Sequence, residues 1–368
     1  MFKNLNILAI IFLGLFLSET SYADLKSSRP SSLTIKNATS LCRLTTARIE
    51  NEIVGISDPN TLDPNVINLI SETGVKWVRA EFHWSQIEDY SGNNYNWTKY
   101  DEMVKNFHMK GINIQAIITY IPQIRMDDWE TIDKRFQKFV KAIVRRYAPQ
   151  GVHYWEVFNE PNLTGYGWLS KQHKAEDFLG AYTLLLARAN NIIRQNDPNG
   201  IVILGGLASE QHRGLSAEQS METIYKFDAH KCFDIMAYHP YGYQNRFPEA
   251  RTRVNAILAK ANDHKKPVWF NEYGWTDYKS MDLKINKDVH SNPMIAAFNQ
   301  KDSSDAFFWF SAKDYSGKFL SPTFGLANFR LKKRPSFETF RQIIHNLNSK
   351  PISEKPTKEY LKKSLEIN

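Results

Sequence analysis

Residues 136–162 read FQKFVKAIVRRYAPQGVHYWEVFNEPN, and this stretch carries the alternation on which the fold depends. Its first half repeats apolar residues at the spacing of one helix face, at Phe136, Phe139, Val140, Ile143 and Val144. Its second half contains a short apolar run at 154–158, which predicts a strand. The stretch therefore predicts one helix followed by one strand.

The same alternation extends in both directions along the chain. Further apolar runs predict strands at 52–56, 75–79, 112–119, 201–205, 233–237, 267–270 and 306–310. Helical patterns lie between them, at 66–70 and most clearly at 178–193. Eight strands, each followed by a helix or a long connection, predict an α/β fold, a (β/α)8 TIM barrel that forms a single catalytic domain. A doubly wound nucleotide-binding sheet ranks second, because no Gly-rich phosphate loop follows any strand.

Composition narrows the class of protein and its partners. Hydrophobic residues make up 42% of the chain and charged residues 23%, enough apolar material for a large core. Aromatic residues reach 13%, which suits such a core and equally a sugar-stacking cleft. The 47 basic and 39 acidic residues give a net charge of +8 without a Lys/Arg run, so no nucleic-acid partner is predicted. A preference for acidic polymers or anionic surfaces is a weak bias only.

The first residues have the pattern of a secretory signal peptide. Lys3 precedes the apolar stretch 7–17, and Ser21-Tyr22-Ala23 offers a small-x-small cleavage site. The stretch is shorter than the roughly 20 residues that span a bilayer. We expect cleavage after residue 23, no transmembrane segment afterwards, and a secreted or periplasmic protein.

The rest of the chain divides by composition into three parts. These are a Ser/Thr-rich lead-in (24–47), the barrel domain (48–345) and a basic polar tail (346–368). Export permits a disulfide between Cys42 and Cys232, but the sequence alone does not pair them. We expect a monomer.

Two acidic residues end predicted strands on opposite sides of the barrel mouth. The fourth strand runs into Asn159-Glu160-Pro161, and Pro161 is expected to hold the backbone of Glu160 extended. The seventh strand runs into Asn271-Glu272. A single strand-end Glu often caps a helix or pairs with an Arg. Two carboxyl groups that face each other across a cleft, one protonated and one ionised, are what glycosidic cleavage requires.

With these motifs the chain resembles the glycoside hydrolases of clan A, the retaining (β/α)8 glycosidases that include families 5, 10 and 39. Asn159-Glu160-Pro161 is similar to the clan's Asn-Glu-Pro motif, whose Glu is the acid/base. Glu272 resembles the nucleophile on strand seven. The resemblance covers residues 48 to about 345 and is closer to families 39 and 5 than to family 10.

The resemblance also implies roles for residues around the nucleophile. Arg79 would hydrogen-bond Glu272 and keep it ionised, and Tyr241 of the His-x-Tyr element would touch the same carboxylate. Asn159 would hold the sugar 2-hydroxyl. The alternative for Arg79 is a surface salt bridge.

Further side chains are implied as sugar contacts. These are His239, Trp309 as the aromatic floor of the subsite before the cleaved bond, and His83 with Trp84. Each has a structural alternative: a core histidine, one more core aromatic, or packing behind the pocket. The loop aromatics Tyr166, Trp168 and Trp275 would line extra subsites.

The predicted function is a secreted retaining hydrolase that cleaves O-glycosidic bonds of a β-linked oligo- or polysaccharide by double displacement. No metal or organic cofactor is predicted, because both carboxylates would act directly and the sequence has no His-x-His or His-Glu-x-x-His pattern. Gly-x-Ser-x-Gly and P-loop motifs are missing as well, which speaks against other chemistries. The alternatives are a non-catalytic carbohydrate-binding barrel of the envelope or matrix, and a transglycosylase that uses the same covalent intermediate. For the hydrolase, the two carboxyl groups should lie about 5–5.5 Å apart.

Overall fold

The computed structural model describes residues 29–50, 52–124, 128–164, 175–209, 214–243, 246–275, 290–300, 306–314 and 323–349. The predicted signal peptide and Tyr166 and Trp168 lie outside these residues, as does the tail beyond Ser349. The strands are β1 (Val54–Ser57), β2 (Trp77–His83), β3 (Asn113–Thr119), β4 (Tyr154–Val157), β5 (Ile201–Leu204), β6 (Leu207–Ala208), β7 (Met236–His239), β8 (Val268–Tyr273) and β9 (Ala306–Phe310). The α-helices are α1 (Ser32–Thr39), α2 (Pro64–Glu72), α3 (Trp84–Ile87), α4 (Thr98–Met109), α5 (Trp129–Tyr147), α6 (Ala175–Asn196), α7 (Ala217–Lys226), α8 (Phe247–Lys260), α9 (Ser291–Gln300) and α10 (Pro335–Asn348).

The strands form one parallel barrel. Their order is β5-β4-β3-β2-β1-β9-β8-β7-β6, and β1 pairs with both β2 and β9, which joins the start of the domain to its end. A parallel bridge between Ile203 and Ile235 connects β5 to the segment that leads into β7. The predicted (β/α)8 barrel is therefore confirmed, with each of the eight predicted strands present.

The fifth barrel strand differs from its prediction, because it is divided into β5 and β6 by Gly205 and Gly206. A Cβ atom on Gly205 would lie 2.6 Å from the carbonyl oxygen of Phe158. One on Gly206 would lie 2.0 Å from Nε2 of His239. Only glycine fits here, since the end of β4 and the His239 ring occupy the space that a side chain needs.

Aromatic side chains fill the lower part of the barrel interior. Trp77, Tyr154, Trp269 and Phe308 belong to one buried cluster, which we call the aromatic plug. The ring of Tyr154 lies 4.8 Å from Trp77 and 5.2 Å from Trp269, centroid to centroid.

A polar layer lies directly above the aromatic plug. Side chains alternate along a strand, so the next inward position lies two residues further on. Arg79 follows Trp77, Glu156 follows Tyr154, and Asn271 follows Trp269 at this spacing. All three are fully or almost fully buried. This layer forms the floor of the pocket at the carboxyl end of the strands.

The lead-in is attached to the other end of the barrel. Helix α1 packs against α6, where the side chain of Asn190 accepts from the amide of Arg43 at 3.1 Å. A disulfide joins Cys42 to Cys232, 190 residues apart, just before β7 begins. The structure thus makes the pairing that the sequence left open.

Among the described residues, no helix combines the length and apolarity needed to cross a membrane.

Candidate active site

Glu160 lies just beyond β4, where the backbone leaves the barrel. Its φ is +42°, and that of Phe158 is +61°, both in the left-handed region. The expectation that Pro161 holds Glu160 extended is therefore wrong: the chain turns sharply instead, and the amide of Leu163 donates to the Glu160 carbonyl at 2.9 Å. This strained turn aims the nearly buried carboxyl group at the centre of the barrel mouth.

Glu272 reaches the same pocket through a β-bulge in β8. Phe270 pairs with Phe307 and Tyr273 with Trp309, so two residues of β8 oppose the single residue Phe308 of β9. A bulge of this kind breaks the alternation of a strand. Consequently both Asn271 and Glu272 contact residues of the barrel interior.

The two carboxyl groups lie close together. Glu160, Glu272 and His239 each offer one nitrogen or oxygen atom, and these atoms all lie within 4.8 Å of one another. This places the carboxylate oxygens on the short side of the two separations that distinguish retaining from inverting glycosidases.

Arg79 connects Glu272 to the floor of the pocket. Its guanidinium donates to Oε1 of Glu272, to Oγ of Ser57 at 3.0 Å and to Oδ1 of Asn159 at 2.7 Å. It also makes a two-pronged pair with Glu156, at 2.7 and 2.9 Å. The surface salt bridge considered for Arg79 is thus wrong, since the side chain is 1% exposed.

Tyr241 donates to the second oxygen of the same carboxylate. Its hydroxyl lies 2.9 Å from Oε2 of Glu272. The predicted group of Arg79, Tyr241, Asn159 and Glu272 is therefore brought together. Both oxygens of Glu272 accept hydrogen bonds, which favours its charged form.

The surroundings separate the pKa values of the two carboxyl groups. Burial raises the pKa of Glu160 above its ordinary value, although the hydrogen bond and charge of His239 oppose this. Burial also acts to raise the pKa of Glu272, but the charges of His239 and Arg79 and the bonds from Tyr241 and Arg79 hold it below its ordinary value. Glu160 is thus suited to carry a proton and Glu272 to stay ionised.

His239 sits between the two carboxyl groups, fully buried. Its Nδ1 lies 3.0 Å from Oε1 of Glu160 and 3.6 Å from Oε2 of Glu272, and its Nε2 lies 3.1 Å from Oδ1 of Asn271. Both ring nitrogens are engaged by protein groups and the ring has no exposed surface, so the predicted sugar contact of His239 is wrong and the residue is the buried histidine of the alternative.

His83 lies at the rim of the pocket beside an acidic partner. Its Nε2 is 2.6 Å from Oε2 of Glu81, and its ring centroid is 4.3 Å from that of Tyr120. The charge of Glu81, burial, and the charges of Glu272 and Glu160 raise the pKa of the Tyr120 phenol. The sequence does not single out Glu81 or Tyr120, because the composition of a strand does not show which of its residues lie beside the pocket.

Two predicted aromatic contacts lie elsewhere. Trp84 is fully buried, stacks on Phe139 at 5.7 Å, and donates from Nε1 to Glu88 at 2.8 Å. Trp309 is fully buried too, and its ring packs against Tyr273 at 6.0 Å on the outer side of the barrel. The predictions that these two tryptophans bind sugar are corrected: both pack behind the pocket.

Phe310 occupies the position expected for Trp309. Phe308 belongs to the aromatic plug, so the next inward residue on β9 is Phe310. Its ring is partly exposed and lies 6.4 Å from that of Tyr241. Trp275, a predicted loop aromatic, is half-buried after β8.

Glu156 is a site residue that the sequence reasoning missed. Its carboxylate accepts from Arg79, from Gln115 at 2.7 Å, from Asn271 at 2.8 Å and from the amide of Gly206 at 2.9 Å. The available signal was a charged residue at an inward position of an otherwise apolar strand, because a buried charge needs a partner such as Arg79.

Glu160, His239 and Glu272 are near enough to one another to be considered as metal ligands. However, Nδ1 of His239 is taken by Glu160, and Arg79 already supplies a positive charge to Glu272. This donor set fits proton and carboxylate chemistry, and we assign no metal ligand here.

Comparison with known proteins agrees with this geometry. The cellulase family model (glycosyl hydrolase family 5) matches residues 47–316, most of the chain. No curated protein sequence matches.

Several solved structures share the fold at low sequence identity. A family 39 glycoside hydrolase from Bacteroides cellulosilyticus WH2 superposes with a TM-score of 0.63 at 15% identity, covering 81% of this chain and 64% of that one, so the chain spans just under two thirds of that protein. A glucosidase from Croceicoccus marinus gives 0.62 at 16% identity, covering 83% and 70%. A GH5_18 variant from Streptomyces cattleya, in complex with Manβ1-4GlcNAc, gives 0.60 at 11% identity, covering 83% of each chain.

Proposed function

The chain belongs to glycosyl hydrolase family 5, and from this premise we propose that it is a retaining glycosidase that hydrolyses a β-linked oligo- or polysaccharide. The observation that carries the proposal is the pairing of Glu160 and Glu272. One oxygen of each lies within 4.8 Å of the other, and their surroundings drive the two pKa values in opposite directions. A close pair with divided protonation supports double displacement.

The first step uses each carboxyl group once. The Glu272 carboxylate attacks the anomeric carbon while Glu160 gives its proton to the departing oxygen, so the glycosidic bond breaks as the glycosyl-enzyme ester forms. Arg79 and Tyr241 hold Glu272 by both oxygens, which fixes the attacking atom. In the second step Glu160 takes a proton from water, and the hydroxide oxygen displaces Glu272 from the sugar.

Support for export comes from two separate features. The signal pattern in residues 1–23 is typical of secretory leaders. The disulfide between Cys42 and Cys232 is of a kind that persists in oxidising compartments. Amino-terminal sequencing of the exported protein should begin at Asp24.

The function is tested by the different kinetic roles of the two Glu residues. We expect Glu272→Ala to abolish turnover of aryl β-glycosides, because no nucleophile remains. Glu160→Ala should still react with a nitrophenyl glycoside, whose leaving group needs no proton, and should then stall as the glycosyl-enzyme. Azide, which needs no deprotonation, should restore turnover and give a β-glycosyl azide.

A matched control is Glu88→Gln, which alters a buried carboxylate outside the pocket. It should turn over as the wild type does, with no gain from azide. If azide gave the α-glycosyl product, the double displacement would be wrong. If the wild type bound glycans but cleaved none across a broad panel, the protein would be a binding barrel. Transfer of sugar to an added acceptor in preference to water would make it a transglycosylase.

A further inference from the structure

The side-chain amide of Asn271 has only one orientation that satisfies its neighbours. One end of the amide faces Oε2 of Glu156 at 2.8 Å, and the other faces Nε2 of His239 at 3.1 Å. The Glu156 carboxylate accepts hydrogen bonds only, so the Nδ2 end of Asn271 must face it. The Oδ1 end, a pure acceptor, is therefore turned to the histidine.

This orientation of Asn271 determines which ring nitrogen of His239 carries the proton when the imidazole is neutral. Because Oδ1 of Asn271 can only accept, Nε2 of His239 must be the donor. A neutral imidazole has one N–H, so in the neutral ring Nδ1 is left with a lone pair. The ring packs closely against Gly206, where even a Cβ atom would lie 2.0 Å from Nε2.

The lone pair of Nδ1 points at Glu160. Nδ1 and Oε1 of Glu160 are 3.0 Å apart, a hydrogen-bond distance that two lone pairs cannot share without a proton between them. The other charged groups facing His239 are Glu272, 3.6 Å away, and Arg79, which acts on it through its charge. Glu272 favours, and Arg79 opposes, a proton at this position.

The far end of this chain of contacts is rigid. The Glu156 carboxylate accepts from both prongs of Arg79, from Gln115 and from the amide of Gly206, so its position is fixed from three other strands or turns. Glu156 therefore transmits a fixed orientation to Asn271, and Asn271 transmits it to the imidazole.

We propose that Asn271, oriented by Glu156, is a positioning residue that fixes the Nε2–H form of His239, so that Nδ1 of His239 and the carboxyl group of Glu160 share one proton. The proton that Glu160 gives to the departing oxygen is drawn from this shared pair, and the proton that Glu160 takes from water in the second step restores it. The pair thus returns to its starting charge after each turnover. The catalytic part of this statement rests on the proposed function; the tautomer itself does not.

The direct test is nitrogen NMR of the full chain labelled with 15N-histidine. Long-range correlation spectra distinguish protonated from unprotonated ring nitrogens, and the His239 signals are assigned by their loss in His239→Gln. We expect a protonated Nε2 in the wild type at neutral pH. His290 serves as an internal control, because it is buried away from the pocket against Ser336. A neutral ring with its proton on Nδ1, or rapid exchange between the two forms, would overturn the proposal.

Variants separate positioning from simple loss of packing. In Asn271→Leu the acceptor is gone, so we expect the proton to move to Nδ1, where Glu160 can accept it. Asn271→Asp, protonated on the oxygen that faces Glu156, keeps both the donor to Glu156 and the oxygen acceptor for His239, and it should retain the Nε2–H form. The matched control Gln115→Leu removes another amide donor to the same Glu156 carboxylate without touching His239, and it should leave the tautomer unchanged. If Asn271→Leu does not fold, the wild type and Asn271→Asp still decide the point.

A pH profile connects the tautomer to the reaction. In Asn271→Leu a neutral Nδ1–H would donate to ionised Glu160 and lower its pKa. The basic limb of kcat/KM on an alkyl glycoside, whose poor leaving group needs the proton of Glu160, should then move to lower pH by about one unit. An unmoved limb together with a changed tautomer would show that His239 does not share the acid proton. Absence of any turnover in the wild type would contradict the proposed function and leave the NMR result to decide the tautomer.

Discussion

At Glu272, a buried cation, a histidine and a tyrosine hydroxyl act together against the effect of burial on the carboxyl pKa. Of these, the Tyr241 hydroxyl is the easiest to remove alone, because Phe keeps the ring that packs near Phe310. The result should reveal how much one donated hydrogen bond contributes to keeping the nucleophile ionised.

We therefore expect Tyr241→Phe to move the acid limb of kcat/KM to higher pH by about one unit. The sign follows because the lost bond favoured the carboxylate, so the pKa of Glu272 rises towards its ordinary value and ionisation needs a higher pH. The basic limb, which reports Glu160, should stay in place. Rate measurements on one aryl glycoside across pH test this; a shift of the basic limb instead would mean that Tyr241 serves the acid.

The corrected aromatic residues give a second prediction at this scale. Phe310→Ala should raise KM about tenfold, the effect of losing about 1.4 kcal/mol of contact with sugar. Trp84→Ala should leave KM unchanged and lower the free energy of unfolding by about 3–5 kcal/mol, because it empties a core site. Steady-state kinetics and urea unfolding of both variants distinguish the two roles. Equal KM values in the two variants would return Phe310 to a purely structural role.

The individual residues differ in how far the sequence could predict them. Glu160 and Glu272 were recognisable because an acidic residue directly ends an apolar run. The prediction for Trp309 was wrong because residues 307–310 are all aromatic, so the sequence does not show which alternate residues face inwards. Only contact with the aromatic plug shows which of the four face inwards.

At the scale of the element, local departures from regular structure place the site. The bulge in β8 turns two consecutive residues inwards, and the interrupted fifth strand makes room for His239. Neither was predictable, because a bulge adds no residue type that marks it and Gly205-Gly206 reads as the ordinary end of a strand.

Replacement of Gly206 tests the role of the interruption between β5 and β6. We expect Gly206→Ala to reduce kcat about a hundredfold, because its Cβ would displace the His239 ring from Asn271 and Glu160. Gly180→Ala in α6 is a suitable control, since the nearest atom would be a flexible Ile35 methyl at 3.3 Å. That variant should keep its kcat. A fully active Gly206→Ala would show that the ring position matters little.

At the scale of the whole molecule, the disulfide closes a loop of 190 residues at the barrel end opposite the pocket. Replacing both cysteines by serine should lower the free energy of unfolding by about 2–5 kcal/mol, chiefly by freeing the unfolded chain. Thermal unfolding with and without reductant measures this, and kcat should not change. Loss of activity in the folded double variant would show that the two ends of the barrel are coupled.

The aromatic plug closes the barrel on the side of the polar layer away from the two carboxyl groups. Trp77, Tyr154, Trp269 and Phe308 fill the barrel below the polar layer, so in the part of the chain that the structure describes, sugar, departing product and incoming water reach Glu160 and Glu272 from the mouth. After the first step the space beside Glu160 is vacated only when the leaving fragment departs through that mouth. Whatever enters next, a water molecule or a second sugar, meets the same ester and the same base. Water and an acceptor sugar therefore compete for the same space beside Glu160, and their relative occupancy of it decides between hydrolysis and transfer. A high concentration of glycan should shift the outcome towards transfer.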